Sequence, residues 1–166
     1  MLVSAVNNAN FQAKLDYSRV RNNPNRWEKV AQSFSEQTRR YKESFIEVYE
    51  TPEHIILNVF KDIKSGFDGI LYAKLNKKEA NLLLKMRDPS TIASKIANLL
   101  KLGINAEKDL NQADKFATKM ATKVKSEAEK NMIYDHFYGQ AYTLTRNEIL
   151  RETMNDEITK NWRVII

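Results

Sequence analysis

Ile70-Leu71-Tyr72-Ala73-Lys74-Leu75-Asn76-Lys77-Lys78-Glu79-Ala80-Asn81-Leu82-Leu83-Leu84 is the stretch in which the chain changes its hydrophobic period. Leu71, Ala73 and Leu75 alternate with Tyr72 and Lys74, the period of two of a half-buried strand. Beyond Asn76, Ala80, Leu83 and Leu84 recur at threes and fours, the period of a helix. Asn76 and Glu79 form a capping box at the junction, an N-cap side chain with a carboxylate three residues on. The switch predicts an α+β fold. A small antiparallel sheet of three to four strands with one packed helix comes first, and a C-terminal helical array follows.

Upstream of the junction, Phe11-Gln12-Ala13-Lys14-Leu15-Asp16-Tyr17 alternates apolar with polar and reads as an edge strand, since its polar positions carry charge. Asn23 and Pro24 mark a helix entry, with Pro at the first helical position where its missing N–H costs nothing. Trp27, Val30, Ala31 and Phe34 then form one apolar stripe, and the helix is expected to fade by residue 38. Two β-rich runs, 45–49 and 55–60, flank Thr51-Pro52-Glu53-His54 and predict an antiparallel hairpin. Its second strand is apolar on both faces through Ile56 and Phe60, as in a central strand. Ser65-Gly66-Phe67-Asp68-Gly69 is a turn cluster leading into the last expected strand, 70–75.

Downstream, Ile92, Ala93, Ile96, Ala97 and Leu100 follow Asp88-Pro89 as a stripe, and Gly103 reads as its C-cap glycine. Asn105 is expected to open another helix with Leu110, Ala113, Ala117, Met120, Val124 and Ala128 on one side, reaching past Met132. Gly139 marks its end or a kink, and Thr145-Arg146-Asn147-Glu148 offers a further capping box. Residues 1–75 therefore hold the sheet with the helix 24–38, and residues 76–166 the helical region. Together they amount to one compact domain.

The 166 residues contain 42% hydrophobic and 10% aromatic side chains, enough for a core. The absence of cysteine excludes disulfides and thiolate chemistry. With neither a basic n-region nor a long apolar run, the chain is expected to be soluble, cytoplasmic and off the membrane. Its net charge of +6 favours polyanions, although acids are interspersed among the bases.

Chemical motifs are scarce. The four glycines never form a phosphate loop, no metal-ligand spacing appears, and no cofactor is expected. His136, within Tyr134-Asp135-His136-Phe137-Tyr138, is the one candidate acid–base group, but Asp135 is adjacent in sequence and points elsewhere on a helix. The sequence therefore points away from an enzyme.

Two surfaces are candidates for binding. Lys108, Lys115, Lys119 and Lys123 share a helix face, and Arg39 and Arg40 form a second basic cluster, a pattern suited to nucleic acid. Trp162, Val164, Ile165 and Ile166 make a terminal apolar strip, and amphipathic helices accompany it. A protein-interaction or assembly module, bound to a protein partner or to itself, is the leading expectation, with nucleic-acid binding as the alternative.

Overall fold

The computed structural model describes residues 13–41, 44–60 and 69–166. Its elements run β1 (Lys14–Arg19), α1 (Pro24–Gln37), β2 (Phe45–Glu50), β3 (His54–Phe60), β4 (Leu71–Asn76), α2 (Lys77–Met86), α3 (Pro89–Ala121), α4 (Glu127–Met154) and β5 (Arg163–Ile165). The fold is α+β, as the change of period implies. Among the described residues the sheet has five strands in the order β1-β2-β3-β4-β5.

The register puts the apolar alternation to use. Leu15 stands beside Ile46, Ile46 beside Val59, Val48 beside Leu57, Leu57 beside Ala73 and Ala73 beside Val164. All of these are buried on one face, with α1 and α3 packed against them. Trp27, Val30 and Phe34 descend from α1, and Ile92, Ile96, Leu99 and Leu100 from α3, into the same core. Each such side chain removed from water contributes about 1.5–3 kcal/mol, so this layer dominates the stability. The other face mixes charged, aromatic and aliphatic side chains: across the five strands one row reads Arg19, Tyr49, Ile56, Lys74 and Arg163.

Several sequence expectations require correction. The sheet is mixed, because β1 runs parallel to β2 and the remaining pairs are antiparallel. A connection long enough to carry a whole helix lets the chain return to start a parallel neighbour, and the period of two says nothing about strand direction. Residues 11 and 12 of the expected first strand, and 65–68 of the expected turn cluster, lie outside the described residues. β4 is not the last strand. Arg163–Ile165 pairs antiparallel with it, with Tyr72 opposite Ile165 and Lys74 opposite Arg163.

Helix boundaries shift as well. α3 passes straight through Gly103. A side chain there would meet Ile70 Cδ1 at 3.2 Å and Val59 Cγ1 at 3.4 Å, so the glycine serves close approach of helix to sheet, not a cap. α3 and the helix expected from Asn105 are thus one element. It ends at Ala121 and does not reach Met132, and the break was hidden because Val124 and Ala128 continue its spacing. The next helix is capped by Ser126, whose Oγ accepts from the Glu129 N–H at 3.5 Å. Thr145 is no cap. It lies buried inside α4, which also runs unbroken through Gly139.

Other local readings match. Asn76 Oδ1 accepts from the N–H groups of Lys78 at 3.0 Å and Glu79 at 3.3 Å. Pro24 opens α1 after Asn23, whose backbone takes a left-handed φ of 58° and whose amide donates to Asn81 Oδ1 at 3.3 Å. That bond joins the entry of α1 to α2.

Candidate functional site

α3 and α4 are about 50 and 42 Å long, roughly twice the length of the six-residue strands beneath them. They form an antiparallel hairpin whose far part leaves the core. The core cluster takes its last α3 residue at Ala106 and resumes on α4 at Ile149. Between positions 107 and 148, the buried described residues are Ala117, Ala121 and Thr145. This part of the hairpin is an arm.

Small residues at the seam let the helices approach, as the stripe through Ala113 and Ala117 implies. Aromatic side chains close its flanks. Phe116 meets Phe137 edge-to-face with centroids 5.2 Å apart, and Tyr134 stacks on Tyr138 at 5.5 Å. The Tyr134 hydroxyl donates to Asp114 Oδ1 at 2.6 Å. The Asp114 carboxylate, which this proton bridges, pushes the phenol up to about 12. The hydroxyl therefore stays protonated as a donor and holds α4 to α3.

The packing is incomplete. Phe116 remains 51% exposed, Met132 71% and Leu144 70%. A helix that serves only its own hairpin buries one stripe, and apolar residues elsewhere on it have no intramolecular cover. Sequence reading had not picked out these three. They stand off the seam, and the signal was their departure from it.

His136 lies on the exposed surface of α4, its ring against Phe137 at 5.1 Å. Among the described residues no carboxylate contacts it, so an acid–base dyad is not assembled. No group of three or more histidines and carboxylates there could hold a metal ion, and no helix is long and apolar enough to cross a membrane.

The terminal strip docks within the chain. Trp162 and Val164 are buried and Ile165 and Ile166 half-buried, and the Tyr142 hydroxyl donates to the Ile166 carbonyl at 3.2 Å. The turn before β5 is tied down by the Lys95–Asp156 ion pair to α3. Burial would raise the Asp156 carboxyl. The Lys95 ammonium and the N–H groups of Ile158 and Thr159 outweigh that and hold it below its usual value.

At the opposite end of the sheet, Ser18, Arg19, Arg21, Tyr49, Glu50 and Lys77 line a cleft of about 500 Å³. Its charges are largely matched within the chain: Arg19 pairs with Glu47 and lies over the Tyr49 ring, and Lys77 pairs with Glu50 at 3.0 Å. Burial would raise the Glu50 carboxyl, but the N–H of Asn22, the Lys77 ammonium and the N–H of Arg21 hold it down. The cleft is a structural junction between β1, the hairpin and α2.

Lys108, Lys115 and Lys119 stand exposed on α3, Lys123 just past its end, and Arg39 and Arg40 just past the end of α1. The fold sets the cluster after α1 beside α3 at Lys101: Arg40 and Lys101 line one cleft of about 340 Å³ with Tyr41, Asn98 and the Lys95–Asp156 pair.

By fold the protein belongs to the α+β class, with an open mixed sheet and a projecting helical hairpin. No protein-family model, no curated protein and no solved structure matches the chain.

Proposed function

We propose that the protein is a non-enzymatic interaction module whose helical arm completes a bundle with helices supplied in trans. The observation that carries this reading is the arm's unfinished packing. Three residues are buried over positions 107–148, while Phe116, Met132 and Leu144 stay mostly exposed. Two-helix hairpins commonly reach a closed core by packing against further helices at shallow angles. Phe116 and the half-buried Phe137 next to it offer the aromatic anchor such interfaces favour.

Size-exclusion chromatography with light scattering, run from low to high protein concentration, tests self-association, and capture from native lysate tests a foreign partner. The reading expects either a dimer or higher oligomer, or one stoichiometric partner, and expects Phe116→Ser with Leu144→Ser to abolish it. A strict monomer that retains no stoichiometric partner overturns it.

A further inference from the structure

We infer that the lysine face of α3, together with the end of α1, is a track for the phosphate backbone of a nucleic acid. Lys101, Lys108 and Lys115 follow one another at seven residues, and Lys119 at four more, so all four share one helix face. They are exposed and span about 27 Å, with Lys123 one turn further on. At the other end, Arg40 shares its cleft with Lys101, so the cationic line continues onto the body.

The surroundings of these lysines select the ligand. Asn105, Asn111, Gln112, Thr118 and Thr122 each lie three or four positions from a lysine, and all are exposed. Amides and hydroxyls beside cations are the side chains that contact phosphate oxygens. A surface built for anionic membrane would set apolar residues beside its cations. Here the one exposed apolar side chain between Lys101 and Lys119 is Phe116, three positions from Lys119, and its ring packs edge-to-face on Phe137 of α4. Of the nearby acids, Asp114 accepts from Tyr134, and Asp109 lines a small cleft with Lys108, Thr145 and Glu148. Lysines at i, i+4 repel one another in the free protein, and a polyanion would relieve that repulsion.

Fluorescence anisotropy with a labelled 20-nucleotide single strand and a 20-base-pair duplex, each titrated from 50 to 200 mM salt, tests the inference. Six engaged cations predict a slope of log affinity against log salt of about −4 for the single strand and about −5 for the duplex. That is a loss of roughly 100-fold or more across the range. Whichever probe gives its slope identifies the strand form. Lys108→Gln, Lys115→Gln and Lys119→Gln together should flatten the slope by about 2 to 3. Arginine at the same positions should restore it, and circular dichroism should show the helix unchanged in both. Arg40→Gln with Lys101→Gln should flatten it further, and Phe116→Ser should leave it untouched, which separates this track from the arm's apolar flank. Lack of binding to both probes at 50 mM salt, an unchanged slope in the triple glutamine variant, or capture by phosphatidylserine vesicles in place of nucleic acid overturns the inference.

Discussion

The α/β body and the helical arm share one helix and treat it in opposite ways. Over its first eighteen residues α3 buries Ile92, Ala93, Ile96, Leu99, Leu100, Gly103 and Ala106, and over its last fifteen it buries Ala117 and Ala121. The backbone is equally regular in both halves. What differs is the partner surface. In the body, α3 lies between α1 and a sheet and can bury a broad stripe. In the arm it has α4 alone and can bury a single seam. Helix formation in water is weakly favourable at best, so most helix stability comes from such burial. The arm accordingly rests on the body and on a few flank contacts, and its opening should cost less than global unfolding.

Truncating one aromatic in each region separates the two most sharply. Phe34 is fully buried among α1, α3 and the sheet, so Phe34→Ala should cost about 3–5 kcal/mol in denaturant unfolding. Phe116 is half exposed, and Phe116→Ala should cost about 1 kcal/mol, of the order of its edge-to-face contact with Phe137. Equal losses would mean that the arm is as well packed as the body.

Two glycines inside helices give a second, smaller contrast, of opposite sign. Gly103 presses on Ile70 and Val59, so Gly103→Leu should overpack the site and cost about 1–3 kcal/mol. Gly139 has nothing within 4 Å of where a side chain would start. Gly139→Ala should therefore stabilise the protein by up to about 1 kcal/mol, through helix propensity alone. Thermal unfolding of both variants measures this, and a destabilised Gly139→Ala would show that an interface already covers that part of α4.

The same contrast explains what could be read from the sequence. Local signals sufficed wherever one element determines itself: the Asn76 cap, the Pro24 entry, the hairpin and the α1 stripe all stand as their residues imply. Features decided by a distant partner were not legible. The direction of β1 depends on how α1 carries the chain back, and β5 is three residues whose strand state exists because the β4 edge is open to it. Gly103 carries the sequence signature of a cap, and the approach of β3 gives it another role. The candidate surfaces divided likewise. The lysine face was legible from spacing, whereas its junction with Arg40 through Lys101 needed the fold. The terminal strip was legible as apolar, but not as the chain's own edge strand.

The last and smallest effect concerns the tie that brings β5 back to the body. Asp156 binds Lys95 of α3 and accepts from the N–H groups of Ile158 at 2.8 Å and Thr159 at 3.2 Å. These partners favour its charged form, and its carboxyl is held below the ordinary 3.8. A carboxyl lowered on folding stabilises the native state above its unfolded pKa, and that stability is lost as pH falls through the folded value. Asp156→Asn should thus lower the neutral-pH melting temperature by about 2–4 °C, the effect of roughly 1 kcal/mol in a chain of this size. The gap between variant and wild type should stay constant down to about pH 4 and close below it as Asp156 is protonated in both states. Lys95→Met should produce a similar gap with the same acid limit, because it removes the other half of the pair. A gap that persists unchanged into strong acid would mean that Asp156 acts through the shape of its turn and not through its charge.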